Sequence, residues 1–156
     1  MLTEQEFHQA AERYLDMTYR VALNWFRRPA DAEDAVQETM LRLWRSDTDF
    51  ADEEHLRRWL VRVTLNECRR ISASPWRKRT VALESCRPPV LPDPARQTLY
   101  DEVMALPGKY RVPPYLYYYE GYSVAEVGEL LGLKTSTVQT RLARGRGKLK
   151  TQREEE

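Results

Sequence analysis

Apolar residues recur along this chain at three- and four-residue intervals, and few stretches alternate apolar with polar, so helix is the expected secondary structure. Thr3-Glu4-Gln5-Glu6 has the form of a capping box. It opens a first helix whose apolar positions are Phe7, Ala11, Tyr14, Val21 and Trp25. Pro29 stops that helix, and Asp31 is the expected N-cap of a second one. The second helix has Ala35, Val36, Met40, Leu43 and Trp44 as its inward stripe and Glu33, Asp34, Gln37, Glu38 and Arg42 on the opposite face. Residues 46–55 are polar and acidic apart from Phe50 and read as a loop. A third helix runs from about 53 to 72, with Leu56, Trp59, Leu60 and Val63 inward, its arginines outward, and Pro75 at its limit.

The pattern then breaks. Pro88, Pro89, Pro92 and Pro94 crowd residues 80–94, which forbids a regular helix and favours an extended linker. Two all-α domains follow, at 1–79 and 95–156, joined by that proline-rich segment. Asp93-Pro94 suits an N-cap and first helical position, and Leu99, Val103 and Leu106 mark a fourth helix closed by Leu106-Pro107-Gly108. The segment from Lys109 to Gly121 should be helical in its second half. Ser123-Val124-Ala125-Glu126 is a second capping box, opening a short helix that ends at Gly132. Thr135 or Ser136 caps a final helix to about Leu149.

The net charge of +1 conceals a strong separation of charge. Residues 57–79 carry eight basic side chains against Glu67 alone, and residues 134–153 carry seven with no acid, so the rest of the chain is strongly acidic. Two basic blocks on an acidic chain point to two polyanion contacts, or at the least to two solvated helix faces. No apolar run reaches the roughly 18 residues of a membrane span, so membrane insertion is not expected and a cytoplasmic protein is. Cys68 and Cys86 form no CxxC pair, and with His8 and His55 they lack the paired spacings of a zinc site. No metal or cofactor is expected. Clustered carboxylates with a histidine base, and a phosphate-cradling glycine loop, are both missing, so the chain does not read as an enzyme.

The last two helices, joined by Leu131-Gly132-Leu133-Lys134, have the form of a helix-turn-helix. The first packs through Val127, Leu130 and Leu131, the second through Val138 and Leu142. The outer face of the second shows Thr137, Gln139, Thr140, Arg141, Arg144 and Lys148. A major groove admits one helix, whose N-terminal residues reach the base edges, so Gln139 and Arg141 are the natural readers, with Arg144, Arg146, Lys148 and Lys150 nearer phosphates. Tyr115, Tyr117, Tyr118, Tyr119 and Tyr122 are expected to pack rather than to stack on bases.

At this point a family resemblance is visible. Residues 123–150, SVAEVGELLGLKTSTVQTRLARGRGKLK, resemble the fourth domain of extracytoplasmic-function sigma factors, and LPGKYR at 106–111 resembles the segment that precedes it. ADAEDAVQETMLRLWR resembles the polymerase-binding helix of that family's second domain, and HLRRWLVRVTLNECRR its minus-10 helix. The resemblance implies an alternative sigma factor that binds core RNA polymerase, directs promoter recognition and melting, and has an anti-sigma partner. It assigns Asp34, Gln37 and Glu38 to the polymerase clamp. Arg58, Arg62, Asn66, Arg69 and Arg70 are assigned to the opened minus-10 region, and the helix-turn-helix to the minus-35 duplex. Asn66 can both donate and accept, as base reading demands. The loop at 46–55 matches the one that holds an unstacked base.

Three features depart from the family. Pro113-Pro114 interrupts a segment that is usually one helix and is expected to kink or restart it. Gly128 stands where a larger side chain is common. Gly145 and Gly147 each cost up to about 1 kcal/mol relative to alanine, leaving the end of the last helix prone to fray without DNA. The rival reading is a free-standing helix-turn-helix regulator, which accounts for the C-terminal basic block but not for the one at 57–72.

Overall fold

The computed structural model describes residues 1–74 and 100–155, with side chains through 151. They are helical apart from short connections, in two compact units, Met1–Arg87 and Pro88–Glu156. Pro75, the expected linker at 80–94, Asp93-Pro94, Cys86 and Leu99 lie outside the described residues.

In the first unit three helices, α1 (Glu4–Phe26), α2 (Pro29–Arg45) and α3 (Glu53–Ala73), pack all against one another. The Thr3 hydroxyl accepts from the Glu6 amide while the Glu6 carboxylate accepts from the Thr3 amide, so the capping box at the start of α1 is complete. The inward face of α1 is Ala10, Met17, Val21, Ala22 and Phe26, rotated slightly from the expected stripe. Phe7, Ala11, Tyr14 and Trp25 are only half-buried at its edge. Tyr14 and Trp25 have polar ends that need partners there. The Tyr14 hydroxyl donates to Glu53 at 2.6 Å and Trp25 Nε1 donates to Ser72 at 2.9 Å.

α1 ends on Arg27, in the left-handed region at φ 62°. That conformation costs a non-glycine residue roughly 1–2 kcal/mol, and its amide recovers a 2.7 Å bond to the Leu23 carbonyl. Pro29 does more than stop α1: it is the first residue of α2, where its missing N–H matters least. Asp31 is therefore not the N-cap. Arg28 holds that position without a side-chain bond, and Asp31 lies in the first turn, where a carboxylate suits the helix dipole. The loop closes at Asp52, which caps α3 through the His55 amide at 2.7 Å.

Ala35 and Leu43 of α2 and Leu60, Val61 and Leu65 of α3 are buried in this three-helix core. Full burial of such side chains contributes roughly 1.5–3 kcal/mol each. Trp59 and Val63, expected inside, are half-buried, and Val61, Thr64, Leu65 and Cys68 form the inner face instead. Trp44 is the larger correction: 47% of it is exposed, and it meets Phe7 edge-on at 5.0 Å. Glu67 is almost wholly buried and pairs with Arg42 of α2 at 2.8 Å and Arg70 of α3 at 2.7 Å. Two guanidinium partners meet the requirement that a buried charge be compensated.

In the second unit residues 100–104 form α4, and Val103 and Leu106 are buried. Next come α5 (Gly108–Pro114), one π turn (Tyr115–Tyr119), α6 (Val124–Leu131) and α7 (Thr135–Glu155). At the prolines the helix changes type rather than breaking off: the first half of the segment is helical too, α5 contains both prolines and ends with them, and the chain passes directly into the π turn. A proline interrupts a helix by removing one donor and crowding the preceding turn. Here the ladder resumes at once, because the Tyr115 amide reaches the carbonyls of Arg111 and Val112, and the Glu120 amide reaches back five residues to Tyr115. Tyr115 and Tyr122 are buried, and Tyr115 stacks on Tyr119 at 5.6 Å and donates to buried Glu120 at 2.7 Å. Tyr118 is exposed and accepts from Arg146 at 3.0 Å. Thr135 and Ser136 lie inside the first turn of α7 rather than capping it, and that helix passes Leu149 to Glu155.

Two of the glycines are spatial requirements. A Cβ on Gly128 would meet the Leu133 carbonyl at 2.7 Å, and one on Gly145 would meet the Tyr110 carbonyl at 3.1 Å and Pro114 at 3.2 Å. Gly147 faces open space. Gly128→Ala is therefore expected to destabilise the second unit by about 1–3 kcal/mol despite its gain in helix propensity. Gly147→Ala should stabilise it by up to about 1 kcal/mol. Thermal unfolding followed by circular dichroism compares the two, and equal shifts of either sign would contradict the contact at Leu133. Burial pushes the Cys68 thiol up to about 12, so it stays protonated, and shielded, in the folded chain at pH 8. Alkylation mapped by peptide mass should spare Cys68 until the first unit is unfolded.

Candidate functional site

The helix-turn-helix is built around one glycine turn. Ser123 accepts from the Glu126 amide and Glu126 from the Ser123 amide, so α6 starts on a complete capping box. It ends at Gly132, φ 69°, a conformation that glycine enters without steric cost. The amides of Gly132 and Leu133 both turn back to the Gly128 carbonyl. Val127 and Leu130 of α6 and Val138 and Leu142 of α7 are buried, as the spacing predicts, while Leu131, expected with them, is half-buried. Gln139, Thr140, Arg144 and Lys148 are consequently exposed on the far side of α7, with Thr137 and Arg141 half-buried beside them. The Thr140 hydroxyl donates to the Ser136 carbonyl at 3.0 Å, so towards a ligand it can only accept.

A polar groove of about 310 Å³ runs along the first half of α7, and Lys109 and Tyr110 at the start of α5 form its other wall. Neither was expected there, nor was Ser136. The ammonium groups of Lys109 and Lys148 lie 5.3 and 5.2 Å from the centre of the Tyr110 ring. Hydrogen bonding from Arg144, with help from Lys109, holds the Tyr110 phenol below its usual range. The Lys-Tyr pair in LPGKYR is visible in the sequence, but only tertiary packing brings it to α7. Arg111 of the same motif is buried, donating to the Leu106 carbonyl at 2.9 Å.

On α3, Arg62, Asn66 and Arg70 are exposed and Arg58 and Arg69 half-buried, at spacings of three and four that share one face. Arg69 donates to Asn66 Oδ1 at 3.0 Å, which occupies an acceptor of Asn66 and leaves its amide hydrogens outward. Arg69 also lies 6.0 Å from the Trp25 ring centre. Arg70 gives its Nε to Glu67, which raises the guanidinium further and keeps it charged. In the preceding loop Phe50 is held between His55 at 5.3 Å and Trp59 at 5.5 Å.

On α2, Asp34 and Gln37 are exposed and Glu38 is partly exposed, 3.7 Å from Arg42. Beside them lies an apolar cleft of about 710 Å³ between α1 and α2, with Leu15, Met40, Leu41 and Trp44 on its walls and Glu33 and Gln37 on its rim. Leu15 is 46% and Leu41 40% exposed. Exposed aliphatic and indole surface next to carboxylates suits a protein partner, since DNA would be repelled by the acids. This cleft was not expected, because Trp44 directly follows Leu43 and was grouped with the core stripe. Among the described residues no group of three His, Cys, Asp or Glu gathers as for a metal ion, and no helix is long and apolar enough to cross a membrane.

Residues 10–79 match the family model described as sigma-70 region 2, and residues 96–149 match that described as sigma-70 region 4. Over 152 residues the chain is 31% identical to the ECF RNA polymerase sigma factor SigM of Mycobacterium tuberculosis, covering 92% of this chain and 74% of that protein. It is 26% identical to SigW of Bacillus subtilis, covering 96% and 89%. Among solved structures it is similar to the sigma factor RpoE from Bartonella quintana in complex with the anti-sigma factor NepR, at 20% identity and a TM-score of 0.67, covering 94% of this chain and 96% of that one. It is also similar to CnrH in complex with the cytosolic domain of CnrY, at 25% identity and a TM-score of 0.64, covering 99% and 91%. With both sigma-70 regions matched in order and SigM aligned along most of its length, this chain belongs to the extracytoplasmic-function family of RNA polymerase sigma factors.

Proposed function

We propose that the two units divide the work of this sigma factor, which binds core RNA polymerase and promoter DNA and directs transcription initiation. The division follows 1–79 and 95–156, with 80–94 as linker. The second unit reads duplex at the minus-35 element. Gln139 and Arg141 face base edges, where the Thr140 hydroxyl can accept from a base amino group, while Thr137, Arg144 and Lys148 hold the flanking backbone. The observation that carries this reading is the outer face of α7, on which Gln139, Arg144 and Lys148 stand exposed in a stretch without acids.

In the first unit Arg58, Arg62, Asn66, Arg69 and Arg70 hold the minus-10 strand as it opens. Favourable contacts to the separated strand offset the cost of unpairing, so the polymerase complex melts DNA without ATP. Asp34, Gln37 and Glu38, flanked by the cleft at Trp44, meet the polymerase clamp. Such a factor works in the cytoplasm, and the complex of RpoE with its anti-sigma factor supports an anti-sigma partner here. A free-standing helix-turn-helix regulator needs only the second unit. The basic face of α3 and the cleft on α1 and α2 favour the sigma reading over it.

Purified chain added to core polymerase is expected to yield promoter-specific run-off transcripts from its cognate templates. Polymerase that binds the chain yet starts at no specific promoter would sink the reading. Arg141→Ala should cost about 1–3 kcal/mol of discrimination at a single base pair, with polymerase affinity unchanged. Band shifts on a promoter scanned one base pair at a time measure the first, and titration of labelled polymerase measures the second.

A further inference from the structure

The groove beside α7 has a composition that the recognition helix alone does not explain. Its walls hold three cations, Lys109, Arg141 and Arg144, and the hydroxyls of Tyr110, Ser136 and Thr140, with no carboxylate among them. The cations and the Tyr110 and Ser136 hydroxyls can donate to the non-bridging oxygens of a phosphodiester, which accept charge-assisted bonds and offer no donor in return, whereas the Thr140 proton is already given to the Ser136 carbonyl. Lys109 comes from a different helix, so the groove has two walls and is not merely one face of α7.

The geometry points to a backbone-phosphate seat formed by Lys109, Tyr110 and Arg144, in which Tyr110 is the positioning residue and Arg141 keeps its place at the base edges. This rests on the minus-35 reading given above and adds a second contact element to it. The Tyr110 ring lies within 5.3 Å of two ammonium groups, Lys109 and Lys148, which would otherwise be free to sample many rotamers. Close approach at Gly145 brings the Tyr110 backbone against α7, so the ring is delivered to that helix by packing. The lowered phenol agrees with a hydroxyl engaged by Arg144. Lys109, Lys148 and Arg144 are thus gathered around one aromatic side chain before DNA arrives, which reduces the side-chain ordering left to binding.

The test is duplex binding by the polymerase complex across a range of potassium chloride concentrations, with cognate and scrambled duplexes. Lys109→Ala is expected to lower the slope of log affinity against log salt by about 0.9, the value of one phosphate contact. Its affinity loss, about three-fold or more, should be the same on both duplexes. Tyr110→Phe keeps the ring and should lose less than Tyr110→Ala. A methylphosphonate at the flanking phosphate should abolish the Lys109→Ala effect, whereas Arg141→Ala should still lose base discrimination on that duplex. An unchanged slope in Lys109→Ala, or a loss confined to one base pair, overturns the seat while leaving the sigma reading intact. Selective displacement of DNA by millimolar inorganic phosphate, compared with chloride at equal ionic strength, also overturns it by assigning the groove to a free anion. Failure of the unsubstituted complex to bind any promoter duplex overturns both.

Discussion

Where Gly128 stands, the carbonyl of Leu133 passes so close that a methyl group would sit 2.7 Å from it. The same residue's own carbonyl receives the amides of Gly132 and Leu133. These two facts set how tightly the chain can reverse between α6 and α7. A tight reversal lets Val127 and Leu130 close on Val138 and Leu142, and that contact decides which side of α7 is left to solvent. The exposed cationic face is thus a consequence of what the hydrophobic face can reach, and the hydrophobic contact depends on the absence of one side chain.

The first unit is organised by charge as well as by packing. Glu67 sits at the junction of α2 and α3 and holds Arg42 and Arg70, while Glu38 approaches Arg42 from the outer side. Alternating charges therefore run from the acidic face of α2 to the basic face of α3. Coulomb attraction to a largely desolvated carboxylate is stronger than between exposed groups, so this network fixes side chains that would otherwise be mobile. The apolar cleft lies on another side of α2, against α1, and is untouched by that network. The three-helix unit thus presents an apolar cleft on one side and a chain of alternating charges on another, with no residue common to both.

Much of this was legible from residues 1–156, and the failures have physical causes. Both capping boxes, the Gly132 terminus and the inward pairs of the helix-turn-helix are local or periodic features, and they stand where the sequence pattern put them. Trp44 was misplaced because hydrophobicity alone cannot tell a core residue from one lining an exposed cleft. Asp31 was a sound cap by type, but Pro29 starts a helix as readily as it stops one. The pair Pro113-Pro114 was weighed by the bonds it removes, and the capacity of the following turn to shift its hydrogen bonds by one residue is invisible in a propensity. Gly128, Gly145 and Tyr110 matter through neighbours far along the chain, which no periodicity reports.

The prolines have one further effect. Pro114 has no N–H, so the Tyr110 carbonyl four residues earlier lacks its usual helical donor. That carbonyl is what a Cβ on Gly145 would meet first, and the Pro114 ring is the next. An acceptor left open by one residue is covered by the bare backbone of another, more than thirty positions later. A side chain at 145 would therefore crowd both the carbonyl and the ring, and a smaller residue at 114 would relieve only the second of these contacts. The bareness of position 145 thus serves the packing of α5 on α7, at a position that is buried while Gln139 and Lys148 stand exposed.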